Sequence, residues 1–258
     1  MTTWAVDLDG VMWQGQTPIP GSAGAIARLL GAGDRVVFCT NHAASPAGKR
    51  ALLDQQGVPD APVLSSAESA AAMVHAGQTV LVLGMAELPA LIATSGATVI
   101  DVRTLTDGPA PPVDAVVLGM HEDWNRTWLG IIADAVRAGA QYIVTNDDPT
   151  FPATGRDGLW LLPGCGALAA SVSVTSGATP TFAGKPFRPM ADLLTSRHGP
   201  IDWVVGDQPS TDGLLATALG ARFALVLTGA TTALDAPAAG ADLVATDLAG
   251  VVEAVLAP

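Results

Sequence analysis

Short, largely apolar runs alternate along this chain with longer stretches in which apolar residues recur every three or four positions. The runs are TWAVDL (3–8), RVVFCT (35–40), TVLVLG (79–84), AVVLG (115–119), QYIVTN (141–146), WVVGD (203–207) and RFALVLTG (222–229). They lack the in–out alternation of a strand with one wet face, so they predict strands buried on both sides, as in a parallel sheet. The longer stretches predict helices over 22–33, 45–57, 66–77, 127–139, 166–177 and 214–220. Another helix follows the turn AGKP and runs to 199, and the tail adds a short strand and a last helix. Ser22 is placed as the N-cap of the first helix, with Gly31 and Gly33 as stop signals, and Ser45-Pro46 opens the second, which closes on Gly57. The stretch TDGPAPPVD (106–114) reads as a Pro-rich loop. The pattern as a whole predicts an α/β fold: a doubly wound, mostly parallel sheet with helices on both faces. No low-complexity linker interrupts it, so a second domain would be inserted and packed rather than tethered.

Length and composition narrow the class. A chain of 258 residues holds one large domain or two modest ones. Apolar residues are 49% and charged residues 14%, which excludes intrinsic disorder. Mean hydropathy is +0.40, raised by scattered Ala and Gly. No apolar run reaches the ~18 residues of a membrane span without a Gly, Pro or polar break. The net charge of −12 argues against nucleic acid and anionic membranes as partners. An anionic substrate would need positive charge supplied locally, most simply by a bound metal. Cys39 and Cys165 alone build neither a disulfide framework nor a four-ligand zinc site. The opening MTTWAVDLDG has neither the basic nor the apolar segment of a signal peptide, so a cytoplasmic protein is expected. Lys49 and Lys185 are the two lysines, against ten arginines, which makes each informative.

The strongest candidate chemistry is Asp7-Leu8-Asp9-Gly10-Val11 at the end of the first predicted strand. C-terminal strand ends are where open α/β sheets bind ligands, and two carboxylates there suggest a metal, with Gly10 allowing a sharp turn. A strand followed by an Asx-type turn explains these residues alone equally well. Further signals follow in order: Thr40 and Asn41 end the second strand, Lys185 stands in Gly-Lys-Pro before a helix, and Asp207 ends a later strand with Asp212 five residues on. In a doubly wound sheet these strand ends lie side by side. A hydroxyl, an ammonium and several carboxylates would then converge.

With those motifs in place, the chain resembles the haloacid dehalogenase superfamily. The similarity is to its NagD-like, 4-nitrophenylphosphatase-like and phosphoglycolate-phosphatase-like branch, subclass IIA. The resemblance covers nearly the whole chain. DLDGVMWQGQTPIPGSAGAIARL, TNHAAS, AGKP and GDQPSTDGLLATALGARFALVLTGAT carry the catalytic motifs, and VTNDDPTFP and LLPGCGALAASVSVTSGATP match the inserted segment. It implies a Rossmann-like core over 1–78 and 183–258 and an α/β cap over 79–182. The implied activity is a phosphoric monoester hydrolase, a Mg²⁺-dependent phosphatase acting on a small phosphorylated metabolite. Asp7 would be the nucleophile that forms an aspartyl-phosphate, and Asp9 the acid and then the base. Mg²⁺ would be held by the Asp7 carboxylate, the Asp9 backbone carbonyl and Asp207, with Asp212 close by or one layer further out. Thr40, Asn41, His42 and Lys185 would hold the phosphoryl oxygens. An Asp at position 9 points to a phosphatase or phosphomutase. His42 departs from the branch, which has a second Asn there.

The alternatives that stay open are a phosphotransferase or mutase, and a non-catalytic binder of phosphate ligands; intact Asp7, Asp9, Lys185 and Asp207 weigh against the binder. His121, Trp124, Asn146 and Asp148, just after cap strands, are candidates to touch the substrate, with cap packing as the competing reading. Cys39 reads as core, Trp4, Trp160 and Trp203 as core or loop packing, and Lys49 as a solvated residue on a helix face. The partners expected are the metabolite and, through the cap, a second copy of the chain. The inserted segment is expected to close as a lid over a compact substrate.

Overall fold

The computed structural model describes residues 1–258 apart from 16, 44, 45, 124, 156, 157, 234–239 and 258. They form two units. One comprises Met1–Thr40, Pro46–Leu64 and Lys185–Pro258; the other comprises Asn41–Ser45 and Ser65–Gly184.

The first unit is built on a six-stranded sheet in the order Leu243–Ala245, Arg222–Val226, Trp203–Gly206, Thr3–Val6, Arg35–Thr40, Val63–Ser65. The registered pairs from the first to the fifth of these strands are all parallel. Successive strand residues serve opposite faces, and both faces are covered, which is why the runs are largely apolar rather than alternating. Trp4, Val6, Val36, Phe38, Trp203 and Val205 pack with Ile26, Leu29, Val251 and Val252 of the helices Ser22–Gly31 and Leu248–Leu256. Ala5, Val37, Cys39, Val204 and Phe223 face the other way, against Met190, Leu194 and Leu215 of the helices Arg188–His198 and Leu214–Leu219. Trp4 and Trp203, paired in register, stack with ring centroids 5.6 Å apart.

Register sets the site. Val6 is opposite Val205 on one side and Phe38 on the other, so Asp7, Asp207 and Thr40 emerge together at the C-terminal edge of the sheet. One cap differs from expectation. Gly21, at φ +86°, takes the N-cap position, and Ser22 becomes the first helical residue, its Oγ donating to the Val11 carbonyl at 2.8 Å. The next helix is Pro46–Gln55; its expected cap, Ser45, lies outside the described residues.

The second unit holds a five-stranded sheet in the order Thr181–Phe182, Gln141–Val144, Ala115–Leu118, Thr79–Leu83, Thr98–Asp101, with every registered pair parallel. Its two faces follow the same rule. Leu81, Leu83, Val116 and Val144 pack on the helices Arg126–Arg137 and Cys165–Ser176. Val80, Val82, Val117 and Ile143 pack on Ala67, Ala70, Leu88 and Ile92. The helix Ser66–Ala72, which the sequence boundary assigned to the core, therefore buries Ala67, Ala70 and Ala71 in this unit. A hairpin, Thr150–Gly155 with Gly158–Pro163, completes it; Trp160 on that hairpin is 55% exposed rather than packed.

Candidate active site

Asp7, Lys185, Asp207 and Asp212 meet in the first unit, and all four are buried. Lys185 Nζ lies 2.8 Å from Asp7 Oδ1 and 2.7 Å from Asp212 Oδ1, bridging the two carboxylates. Asp7 also accepts the Leu8 N–H at 2.8 Å. Asp207 is fixed through the loop after the strand Arg222–Val226: the Ala230 N–H donates to its Oδ2, and the Thr231 hydroxyl to its carbonyl, each at 2.5 Å. Asp212 returns to the strand end on a wide π-helical turn, Pro209–Gly213, and accepts the Gln208 N–H at 3.2 Å. Two glycines make the room. A Cβ on Gly206 would collide with the Asp212 carboxylate. At Gly10 the backbone has φ +82°, and a Cβ would lie 2.5 Å from Asp207 Oδ2.

Charge in this cluster is unbalanced. Asp7, Asp207 and Asp212 offer carboxylate oxygens within 4.8 Å of one another, against the one ammonium of Lys185. Burial pushes the Asp7 carboxyl well up despite Lys185, and Asp212 and Asp207 add to the push. Burial likewise moves Asp207 up to about 6, against the pull of the Ala230 N–H. At Lys185 burial works against the ammonium, yet Asp212 and Asp7 outweigh it and hold its pKa well above the ordinary lysine value. Asp207 Oδ1 is buried with no hydrogen-bond partner. An orphaned carboxylate oxygen beside two further buried carboxylates fits a hard divalent cation with oxygen ligands, so the donor set suits Mg²⁺. Among the described residues this is the one such cluster.

Asp9 is outside that group. Its side chain is 54% exposed, and its two oxygens have separate partners. Trp13 Nε1 donates to Oδ1 at 2.8 Å, and Lys49 Nζ is 3.6 Å from Oδ2. Lys49, expected to be solvated, is 13% exposed, with its ammonium 5.3 Å from the centre of the Trp13 ring. Thr40 is buried at the end of its strand, next to the strand that carries Asp7. Cys39, one residue earlier, is in the core, and burial pushes its thiol up to about 12.

The remaining candidates belong to the second unit. Asn41, Asn146 and Asp148 form one group there. Asn146 Nδ2 donates to the Asn41 carbonyl at 2.8 Å, and the Asn41 amide reaches Asp148 Oδ1 at 3.4 Å. Ser66 Oγ donates to the same carbonyl at 2.7 Å. His42 meets the Phe151 ring edge-on at 6.4 Å. His121 is engaged elsewhere: its Nδ1 accepts the Asp123 N–H at 3.1 Å, and its ring stands edge-on to Trp128. Trp124 lies outside the described residues.

Comparison with known proteins agrees with this geometry. A haloacid dehalogenase-like hydrolase profile matches residues 4–98, and a second HAD-hydrolase-like profile matches 182–251. D-glycerol 3-phosphate phosphatase of Mycobacterium tuberculosis is 35% identical over 242 residues, 90% of this chain; the chain spans 64% of that protein's length. A structure of the glycerol phosphate phosphatase of that organism in complex with magnesium superposes with a TM-score of 0.82 at 30% identity, over 96% of this chain and 75% of that one. Chronophin of Homo sapiens is 32% identical over 240 residues, covering 86% of this chain and 80% of its own. The p-nitrophenyl phosphatase of Archaeoglobus fulgidus superposes with a TM-score of 0.87 at 26% identity over 98% of both chains. The chain belongs to the haloacid dehalogenase-like hydrolases, in the branch that includes NagD of Escherichia coli.

Proposed function

We propose that this chain is a Mg²⁺-dependent phosphatase that hydrolyses small phosphate monoesters in two displacements at phosphorus. The observation that carries the proposal is the buried Asp7–Lys185–Asp212 bridge with Asp207 alongside. Asp7 has one oxygen tied to Lys185 and the Leu8 N–H, which orients the carboxylate and leaves its other oxygen for attack. That oxygen forms a bond to phosphorus as the ester P–O bond breaks, and Asp9 gives the departing oxygen its proton. Asp9 then takes a proton from water as water displaces the phosphoryl group from Asp7, which returns both carboxylates to their starting state. A divalent cation held by Asp7, Asp207 and Asp212, with the Asp9 carbonyl, would supply positive charge to the phosphoryl oxygens. Lys185 adds a fixed positive charge beside them, and Thr40 a hydroxyl. The roles expected of Asn41 and His42 toward the phosphoryl group belong to this proposal. So do those of His121, Asn146 and Asp148 toward the leaving group.

A small substrate is supported by the relatives, one of which is a glycerol 3-phosphate phosphatase. We place the enzyme in the cytoplasm because its two cysteines are free and buried, as suits a reducing compartment. A homodimer through the inserted unit is part of the same proposal. The test is 4-nitrophenyl phosphate hydrolysis with and without Mg²⁺, followed by a panel of metabolite phosphates. Mg²⁺-dependent release of nitrophenol supports the reading; full activity after exhaustive chelation contradicts it.

A further inference from the structure

We infer that Lys49 is a positioning residue for the acid: together with Trp13 it holds the Asp9 carboxyl in one orientation. The inference rests on the reading of Asp9 as the acid and deepens it. Asp9 and Trp13 are brought together by a tight turn. The Gly10 N–H donates to the Trp13 carbonyl at 2.7 Å, the Met12 N–H to the Leu8 carbonyl at 2.8 Å, and residues 9 and 13 form an isolated β-bridge. That turn points the indole N–H of Trp13, whose side chain is fully buried, at Asp9 Oδ1. One hydrogen bond leaves a carboxyl free to swing about it. Lys49 arrives from a different element, the helix Pro46–Gln55, and its ammonium lies against the other oxygen, Oδ2.

The pair differs from an ordinary surface ion pair, in which both side chains wave in solvent and little is gained. Here the lysine is 13% exposed and the carboxylate 54%. The more enclosed partner is the lysine, held between the carboxylate and the face of the Trp13 ring, a cation–π contact at 5.3 Å. Asp9, Trp13 and Lys49 thus make three mutual contacts, and the anchors act on separate oxygens. Two anchors fix the plane of the carboxyl while its open edge stays accessible. An acid must meet the leaving oxygen in line and within hydrogen-bond reach, so its orientation matters most when the leaving group cannot depart without a proton. The lysine-poor composition is consistent with a retained role: the chain has two lysines, and the other is Lys185.

The experiment compares 4-nitrophenyl phosphate, whose leaving group scarcely needs a proton, with the best alkyl phosphate from a metabolite panel. Lys49→Met keeps an unbranched stem over the ring and removes the charge. It is expected to lower kcat on the alkyl phosphate on the order of tenfold more than on 4-nitrophenyl phosphate, with KM for both within about twofold of wild type. Lys49→Arg keeps the cation and is expected to recover most of the loss. Trp13→Phe keeps a ring and removes the N–H; it is expected to discriminate in the same direction, and it stands in if Lys49→Met fails to fold. Equal losses on the two substrates, no loss at all, or no recovery by arginine would overturn the inference. Asp9→Asn is measured alongside. If it discriminates between the substrates and Lys49→Met does not, Lys49 has no such role and the acid assignment stands. If Asp9→Asn itself fails to discriminate, the acid assignment falls and this inference with it.

Discussion

Asp7 and Gly10 show how much of the chemistry depends on single atoms. Asp7→Asn keeps the shape of the side chain and the Leu8 N–H bond but removes the carboxylate proposed as the nucleophile. Turnover is expected to fall by at least about 10³-fold with circular dichroism unchanged. Gly10→Ala probes the neighbouring constraint. A side chain there must adopt φ +82° and push against Asp207 Oδ2. The variant is expected to lose about 1–3 kcal/mol of stability in urea denaturation and to need more Mg²⁺ for half-maximal activity. Lys185→Met leaves the carboxylates of Asp7 and Asp212 without their bridge. Its kcat is expected to drop on the order of 10²-fold or more, as when one preorganised charge is lost. Of these residues, Asp7, Asp9, Lys185, Asp207 and Asp212 were legible as motifs because each stands at a strand end or helix entry with a recognisable neighbour. Lys49 was not. The helical pattern shows which face of Pro46–Gln55 is polar, but says nothing of the carboxylate and ring that lie opposite it.

At the level of elements, the interior strands of both sheets are runs of four to six largely apolar residues buried on two faces, and that is why they could be read directly. What the pattern missed has identifiable causes. Trp13–Gln14 and Thr17–Pro18 are two residues each, too short for any periodicity, and pair with each other, Trp13 opposite Pro18 and Gln14 opposite Thr17. The helix Leu88–Ala93 opens on a glutamate and a proline and spans less than two turns, and the strand Thr98–Asp101 is only half-buried at the sheet edge. The hairpin Thr150–Pro163 exposes Phe151, Trp160 and Leu161, so its apolar residues do not mark a core face. Ser22 shows a different limit: the cap is decided by the left-handed backbone of Gly21, while the serine hydroxyl is used on Val11. Where a cap is formed by side chains, its cost is testable. Ser65 and Glu68 make a reciprocal capping box at the start of Ser66–Ala72. Ser65→Ala is expected to cost about 1 kcal/mol in urea denaturation, with kcat on 4-nitrophenyl phosphate little changed.

For the whole molecule, the acidic charge and the acidic cluster are separate matters. The net charge of −12 is spread over the chain, whereas the site gathers three carboxylates around one lysine. A cation that binds this cluster only in the folded protein stabilises it by mass action, so Mg²⁺ is expected to raise the thermal midpoint of chelator-treated enzyme as well as restore its activity. An activity that returns without any thermal shift would place the metal elsewhere. The central claim is that Asp7 attacks phosphorus and water then displaces the phosphoryl group. Each displacement inverts the configuration at phosphorus, so the account predicts overall retention. The direct measurement is hydrolysis, in isotopically labelled water, of a phosphorothioate ester made chiral at phosphorus by oxygen isotopes, followed by assignment of the thiophosphate product. Retention is the predicted result; inversion would mean a single attack by water and would contradict a covalent role for Asp7.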